Sequence, residues 1–420
     1  MTDTGEHRKR VVVTGLGVVT CLGQEVDTFW QDLLSGKSGI REITLFDPEG
    51  LPCKIAGEIP EFDPTGYMPA KEARRMARNS QMALATAIQA VEDANLAPSL
   101  NDPERVGVYF GTAIGGMERG IEGIKAFNTK GLARVNPFYL PSTLPNMAAF
   151  HVTHHFKALG PNCTIATACA TGTQTIGEAA QAIRNGWADV VIAGGTEAII
   201  QDFVFAGFCA MRAIPVNFNH DPQRASRPFD ALREGFVFSE GSACVVLESL
   251  EHALARDARI YAEIAGFGSS GDAFHMAAPD PEGNGAKRTM LRALMDSQVE
   301  PERVSYINAH GTSTPANDAT ETKAIKMLFG DYAQRIPISS TKSMLGHAMG
   351  ASGAIEAIVC ALSLHHQKIH PTINYENPDP DLDLDYVPNQ ARDSELEVAL
   401  SNSFGLGGQN ACLVLKRLEQ

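Results

Sequence analysis

The chain has 420 residues, and 44% of them are hydrophobic, which is enough to build one large core or two domains. Its 35 basic and 49 acidic side chains leave a net charge of −14, which argues against a protein that binds nucleic acid or lies on a membrane. The eight cysteines are scattered and form no CxxC pair, so neither a disulfide framework nor a metal site is expected. Because the N-terminus leads into a strand without an apolar signal segment, we expect a cytoplasmic protein.

Short apolar strands alternate with helical segments along the chain. Periodicity predicts strands at 11–17, 105–112, 188–195 and 242–249, and helices at 80–95 and 173–184. This alternation predicts an α/β fold in which helices cover a mainly parallel sheet.

The second half of the chain repeats the first. Four pairs of segments recur in the same order: VVVTGLG (11–17) with AEIAGFG (262–268), PERV (103–106) with PERV (301–304), CATG (169–172) with HAMG (347–350), and ACVVLE (243–248) with ACLVLK (411–416). Four such pairs in register are improbable by chance. We therefore predict two copies of one α/β unit, residues 1–257 and 258–420.

The repeat gives Cys169 and His347 the same place in the two copies, each at the start of a helix. A helix N-terminus stabilises a thiolate, and the small residues around Cys169 leave room for a substrate carbonyl. Taken alone, a cysteine of this kind is more often an inert packing residue. If the two helix starts meet about a pseudo-twofold axis, both side chains face one pocket.

The second copy holds further candidates at junctions between strands and helices. His310 lies in NAHGTSTPAND, and Lys342 and His347 lie in SSTKSMLGHAMG. Each of these histidines has a structural reading, but α/β folds build active sites at such junctions, and the set favours catalysis. Phe404 stands in the glycine-rich NSFGLGGQNA, which is either a mobile loop or an ordinary turn with a core phenylalanine.

The motifs TACATG, NAHGTSTPAND, STKSMLGH and NSFGLGGQN occur in this order, and with them the whole chain resembles the β-ketoacyl-acyl carrier protein synthases of the thiolase superfamily. Among these it is most similar to the type II condensing enzymes of bacterial fatty-acid synthesis. The resemblance implies a thiolase-like fold, in which two duplicated α/β halves form a layered αβαβα core.

The resemblance also implies residue roles. Cys169 matches the acyl-accepting nucleophile of the family, and His310 and His347 match its paired histidines. Lys342 matches the supporting lysine, and Phe404 matches the gating phenylalanine. The residues that match substrate contacts are Thr312 and Thr314 for the pantetheine arm, and Ile114 and Phe208 for the acyl pocket. The chain departs from the usual motifs at Ala277, Leu406 and Gln409, which puts one pantetheine hydrogen bond and the behaviour of the loop in question.

The reaction that the resemblance implies is a decarboxylative Claisen condensation of malonyl-carrier protein with an acyl group held on Cys169. It needs no cofactor. The implied partners are the acyl- and malonyl-loaded acyl carrier protein and a second copy of the chain, with no nucleic acid and no membrane. The carrier is acidic in this family, and the basic segment 71–78 is the candidate docking surface, although a plain solvated helix face is as good a reading. Its basic residues are Lys71, Arg74, Arg75 and Arg78.

Other functions fit the sequence less well. TGLGVVTCLG (14–23) has Thr20 where a dinucleotide fingerprint needs its third glycine, and HVTHH (151–155) has no acidic or cysteine companion for a metal. A non-catalytic chain-length partner usually lacks the nucleophile, and type III starter enzymes typically have Asn where this chain has His347. The condensing unit of a polyketide synthase stays open as an alternative.

Overall fold

The computed structural model describes residues 8–96 and 101–418, which form one large mixed sheet between layers of helices. The strands are β1 (Val11–Thr20), β2 (Arg41–Glu42), β3 (Ile55–Ala56), β4 (Val106–Gly111), β5 (Asn162–Cys163), β6 (Val190–Glu197), β7 (Gly241–Ser249), β8 (Ala262–Gly271), β9 (Tyr306–Asn308), β10 (Ile338–Ser339), β11 (Lys368–Ile369), β12 (Arg392–Asp393), β13 (Val398–Gly405) and β14 (Gln409–Lys416).

The helices connect these strands. They are α1 (Val26–Leu34), α2 (Ala70–Ala73), α3 (Arg78–Asp93), α4 (Met117–Lys130), α5 (Tyr139–Thr143), α6 (Met147–Phe156), α7 (Thr171–Arg184), α8 (Asp202–Ala210), α9 (Leu250–Ala255), α10 (Asn284–Ser297), α11 (Pro315–Phe329), α12 (Lys342–Leu345) and α13 (Ser352–His366). None of the helices in the described ranges is long and apolar enough to cross a lipid bilayer.

The large sheet has an internal symmetry. Its order is β10-β9-β13-β14-β8-β1-β7-β6-β4-β5, and β1 pairs with β8 at the centre in antiparallel register. Outward from this pair, each half runs through one antiparallel neighbour, a second antiparallel step and then two parallel steps. This order agrees with two copies of one unit, and the division at residue 257 stays a prediction.

The prediction of a mainly parallel sheet is wrong for the middle of the molecule. The central five pairings, from β13–β14 to β7–β6, are antiparallel, and the two pairings at each edge are parallel. Strands β1 and β7 are buried along their whole length, and a continuous apolar run does not encode the direction of its neighbour.

Helices α7 and α13 form the central layer and contact strands of both halves. Helices α3 and α6 cover one outer face, and α10 and α11 cover the other, so the predicted five-layer αβαβα core is confirmed. Residues 352–364 of α13 are buried all round, as expected for a helix that lies between the two halves of the large sheet. A Cβ at Gly172 of α7 would lie 2.4 Å from the backbone nitrogen of Ala354, so glycine permits this close packing.

Candidate active site

Cys169 lies in a tight 3-10 turn, Ala168–Ala170, directly before α7. It is buried, and the preceding Ala168 holds a left-handed backbone with φ of 50°. The 3-10 turn that precedes α13 in the other half is Met349–Ala351, and its first residue, Met349, is also left-handed, with φ of 44°. Residues other than glycine are disfavoured in this region, so both turns are strained at the same position. In this match Cys169 corresponds to Gly350, and His347 lies five residues before α13, so the prediction that Cys169 and His347 occupy the same place in the two copies is wrong.

A cavity of about 470 Å³ opens onto Cys169 from the surface. Most of the residues that the sequence singles out line it: Cys169, Phe208, Ala277, His310, Thr312, Thr314, His347, Phe404 and Leu406. The structure therefore brings the candidates of the two halves together in one site.

The two histidines face each other and the cysteine at the floor of this cavity. Their ring centroids are 5.5 Å apart, and the sulfur of Cys169 and ring nitrogens of His310 and His347 all lie within 4.8 Å of one another. His347 Nδ1 is 2.9 Å from the hydroxyl of Ser352, which fixes the ring. The buried atoms His310 Nδ1 and His347 Nε2 have no hydrogen-bond partner among the described residues.

Both rings are neutral at physiological pH. Burial holds the pKa of His310 and of His347 well below the ordinary histidine value, and the positive charge of Lys342 lowers it further. A neutral imidazole keeps one N–H, so each ring can donate one hydrogen bond without carrying charge into the cavity.

Lys342 forms a buried ion pair with Glu356, one turn into α13. Burial raises the pKa of Glu356 to about 7 despite the lysine. The pair places a positive charge behind the histidines without exposing it to the cavity, which accounts for its effect on their pKa.

Opposing effects act on the pKa of the Cys169 thiol. Burial raises the pKa of Cys169 to about 11, although a hydrogen bond from the backbone N–H of Leu406 and the charge of Lys342 oppose the shift. Desolvation therefore works against the stabilisation of a thiolate by the helix N-terminus, which stays a prediction.

Phe404 lies near the end of β13, next to the turn that leads to β14, and its side chain lines the cavity. Its ring centroid is 5.7 Å from that of His310, and the following Gly405 lies against the cysteine turn. A Cβ at Gly405 would be 3.3 Å from the backbone nitrogen of Cys169 and 2.7 Å from the carbonyl oxygen of Thr167. Gln409 is exposed at the start of β14 and is not one of the residues that line the cavity.

The predicted substrate contacts occupy different parts of the site. Thr312 and Thr314 line the cavity, and their hydroxyls lie 2.9 Å apart. Phe208 and Ile114 pack against one apolar cluster, which also contains Cys169. Apolar walls next to the nucleophile suit a hydrocarbon chain.

Two buried carboxylates near the site have no counterpart in the sequence predictions. Glu321 of α11 accepts hydrogen bonds from the backbone N–H groups of His310 and Gly311, at 2.9 and 2.8 Å. Glu197, at the end of β6, binds backbone groups after β4 and in the turn after His347. A glutamate that ends an apolar strand, as in VVIAGGTE, is the one sequence signal that points to such a residue.

The basic segment 71–78 is not one helix. Helix α2 ends at Ala73, and α3 begins at Arg78, so the basic residues do not share one helix face. Lys71, Arg74 and Arg75 are exposed. Arg78 is half-buried and ion-paired with the buried Glu240 at 2.9 Å, so it is less available to a partner than the other three residues, and its part in a docking surface stays a prediction.

A thiol and two imidazoles at this spacing also suit a soft metal ion. Within residues 8–96 and 101–418, no second group of three such side chains converges in this way. The three histidines of HVTHH therefore do not form a metal site with other described residues.

Comparison with known proteins identifies the family. The β-ketoacyl synthase N-terminal domain matches residues 8–253, and the β-ketoacyl synthase C-terminal domain matches residues 261–376. The chain is 48% identical over 412 residues to 3-oxoacyl-[acyl-carrier-protein] synthase 2 of Coxiella burnetii, covering 98% of this chain and 99% of the relative. It is 49% identical over 413 residues to the protein of the same name from Staphylococcus aureus strain COL, with the same coverage.

Solved structures agree. The AntDE:AntF complex, a type II PKS acyl-carrier protein with its ketosynthase bound to the hexaketide, superposes with a TM-score of 0.91 at 38% identity, covering 98% of this chain and 100% of that one. A β-ketoacyl synthase from Burkholderia phymatum superposes equally well at 35% identity and the same coverage. Because both family domains match in order and relatives of the same length share nearly half of its residues, the chain belongs to the β-ketoacyl synthase family, as its motifs predict.

Proposed function

We propose that the protein is a 3-oxoacyl-[acyl-carrier-protein] synthase that extends an acyl chain by decarboxylative condensation with malonyl-carrier protein in fatty-acid elongation. One observation carries this proposal most directly. A thiol and two neutral imidazoles converge within 4.8 Å at the floor of a cavity whose walls are partly apolar. A cysteine hydrolase would need one histidine as its base, whereas two uncharged donors suit an enolate oxygen.

In the first half-reaction, the sulfur of Cys169 attacks the thioester carbonyl of the acyl donor. The C–S bond to the carrier breaks, the acyl group stays on Cys169, and the cysteine proton ends on the carrier thiol that departs. Backbone N–H groups of Cys169 and Phe404 are the proposed donors to the tetrahedral oxyanion. A buried, protonated thiol is a weak nucleophile, so the attack depends on these two N–H groups being in place when the substrate binds.

In the second half-reaction, malonyl-carrier protein enters the cavity after the first carrier has left. The bond to its free carboxylate breaks, carbon dioxide departs, and the oxygen of the enolate that remains accepts one hydrogen bond from a ring N–H of His310 and one from His347. The enolate carbon attacks the acyl-cysteine carbonyl, and the bond from that carbonyl to the sulfur of Cys169 breaks. The product is a 3-oxoacyl thioester two carbons longer, and the Cys169 thiolate takes up a proton from water. The side chains of Thr312 and Thr314 are the proposed contacts of the pantetheine arm.

The proposed partner at the cavity entrance is an acidic acyl carrier protein. Lys71, Arg74 and Arg75 are exposed and lie on α2 and the turn that follows it. Three neighbouring cations on a chain of net charge −14 form a local basic surface that can steer an acidic protein.

We also propose a homodimer. Strand β5 lies at one edge of the large sheet, where its outer hydrogen-bonding groups face no further strand of the described chain. Large apolar side chains are exposed on the elements that precede it: Ile124, Phe127, Leu132, Leu140 and Phe150. Apolar exposure beside a sheet edge is typical of a surface that a second copy covers. Sedimentation at micromolar concentration tests this, and an active monomer would contradict it.

A cytoplasmic location fits the cysteines. All eight are free thiols in the structure, as expected in a reducing compartment. Fractionation of the cells that make the protein tests this location, and recovery in a secreted fraction would contradict it.

Intact-mass spectrometry tests the main proposal. After incubation with a panel of acyl-carrier proteins, the wild-type protein should gain the mass of each accepted acyl group on Cys169. Addition of malonyl-carrier protein should then remove that mass and release carbon dioxide. Failure to gain mass from any acyl donor would overturn the proposal.

The polyketide alternative rests on the AntDE:AntF similarity. A polyketide condensing unit extends its own unreduced product repeatedly, whereas a fatty-acid enzyme releases the 3-oxoacyl product after one addition. Product mass with malonyl-carrier protein in excess, and no reductase present, separates the two.

A further inference from the structure

Glu197 is a fully buried carboxylate that the proposed reaction does not use. One oxygen accepts the backbone N–H of Ala113 at 2.8 Å and that of Gly350 at 3.2 Å. The other accepts the hydroxyl of Thr112 at 3.1 Å and the N–H of Ile114 at a longer 3.3 Å. A buried carboxylate is costly unless such donors satisfy it, so these contacts are what keep Glu197 in place.

The donors come from two separate parts of the site. Thr112, Ala113 and Ile114 form the segment after β4 in the first half, whereas Gly350 lies in the turn three residues after His347. The contact between them is tight. A Cβ at Gly350 would be 2.6 Å from the nitrogen of Ala113 and 2.9 Å from the carboxylate of Glu197.

The segment that Glu197 holds forms part of the apolar surroundings of the nucleophile. Ile114 packs against the cluster that contains Cys169, as does Phe208. The hydroxyl of Thr112 also accepts a hydrogen bond from the N–H of Gly115 at 3.1 Å, so the hydrogen bonds that begin at Glu197 continue along the segment to Gly115. A displaced carboxylate would therefore move Ile114 relative to Cys169.

We propose that Glu197 is a positioning residue that sets the range of acyl-chain lengths, because it ties Ile114 and the segment before it to the turn that follows His347. This inference rests on the proposed function of the protein. A short acyl group on Cys169 occupies little of the apolar cluster around it, whereas a long one must extend into that cluster, against which Ile114 packs. Misplacement of Ile114 should therefore affect long acyl donors selectively.

The test compares acylation rates of Cys169 by intact mass with acetyl-, octanoyl- and palmitoyl-carrier protein. In Glu197→Gln, an NH2 group replaces one carboxylate oxygen. This group cannot accept a hydrogen bond, so the backbone N–H that faces it loses its partner. We expect palmitoyl transfer to fall about tenfold relative to acetyl transfer, which stays near the wild-type rate.

Glu248→Gln is the matched control. Glu248 is equally buried in β7 but binds Thr14, His252 and Arg256 instead, so its variant reports the general effect of removing a buried carboxylate. Its ratio of palmitoyl to acetyl transfer should equal that of the wild type.

A second variant keeps the test informative if Glu197→Gln does not fold. Thr112→Val keeps the side-chain volume but removes the hydroxyl that joins Glu197 to Gly115, and it should shift the ratio in the same direction. An unchanged ratio in both variants, or an equal slowing with all three donors, would overturn the inference. If the wild-type protein accepts none of the three donors, the proposed function fails and the inference fails with it.

Discussion

The imidazole rings of His310 and His347 meet edge to face, with planes inclined by 86°. One ring comes from the loop after β9, and the other from the turn between α12 and α13. This arrangement brings one ring nitrogen of each histidine within 4.8 Å of the sulfur of Cys169, so an oxygen placed between the rings can accept two hydrogen bonds.

Replacement of either histidine should separate the half-reactions. His310→Ala and His347→Ala should each still form the acyl-enzyme, but decarboxylation of malonyl-carrier protein should fall about a hundredfold or more, as expected when an oxyanion loses one donor. Intact mass measures the first step, and release of labelled carbon dioxide measures the second. Loss of acylation in His310→Ala would instead make that histidine the base for the cysteine.

The low pKa of the two histidines predicts that the rate of decarboxylation changes little at mildly acidic pH. Because the pKa of both rings lies well below 6.5 in the folded protein, they stay neutral as the pH falls through that value, and decarboxylation should not decline there. Lys342→Met removes a charge that lowers both pKa values, so its decarboxylation rate should begin to fall at a higher pH than that of the wild type. Identical pH profiles of the two proteins would contradict this electrostatic role.

The Lys342–Glu356 pair should be more costly to break than to replace. Lys342→Ala leaves Glu356 buried without its partner, and we expect a loss of about 3 kcal/mol or more in the free energy of unfolding. The double variant Lys342→Met, Glu356→Leu removes both charges and should lose much less. Urea unfolding measures the three proteins, and equal losses in the single and double variants would show that the pair carries no coupling.

Cys169→Ala should abolish acylation, whereas Cys163→Ala should retain it. Cys163 ends β5 six residues earlier and lies outside the cavity wall, so it serves as a matched control for loss of a thiol. Acyl mass on the Cys169→Ala protein would refute the assignment of the nucleophile.

Charge reversal should separate docking from chemistry. Arg74→Glu with Arg75→Glu should raise KM for the carrier-bound substrate and have less effect on a short acyl-pantetheine mimic, because steering acts on the acidic protein. Arg303→Glu with Arg392→Glu gives the same change of net charge at exposed sites elsewhere and should leave KM unchanged. Equal effects on both substrates would make the basic segment a plain solvated surface.

Local patterns in the sequence predict much of this fold. Predicted strand 242–249 appears as β7 (Gly241–Ser249), and predicted helix 173–184 as α7 (Thr171–Arg184), because each is a buried segment with a clear period. Strand direction could not be predicted in this way, since it depends on which distant segments pair. The break of 71–78 at Ala73 likewise follows from packing of Met76 and Ala77 into the interior, not from a helix-breaking residue.

The site could also be predicted only in part. Cys169, His310 and His347 stand in recognisable motifs at chain junctions, and those motifs predict that the three residues share one site. Glu197 and Glu321 accept hydrogen bonds from backbone groups elsewhere in the chain, and the sequence carries no local pattern for such contacts. Desolvation of the Cys169 thiol is also a property of the assembled core, so no local pattern predicts it.

Strands β1 and β8 pair at the centre of the sheet, and Cys169 precedes β8 in the chain whereas His310 and His347 follow it. Neither the segment before β8 nor the segment from β8 onward holds a complete set of reacting groups. A chain cut between α9 and β8 should therefore yield two inactive fragments whose reassociation restores acyl transfer and decarboxylation together. Recovered activity would then report that both fragments had folded and paired through β1 and β8.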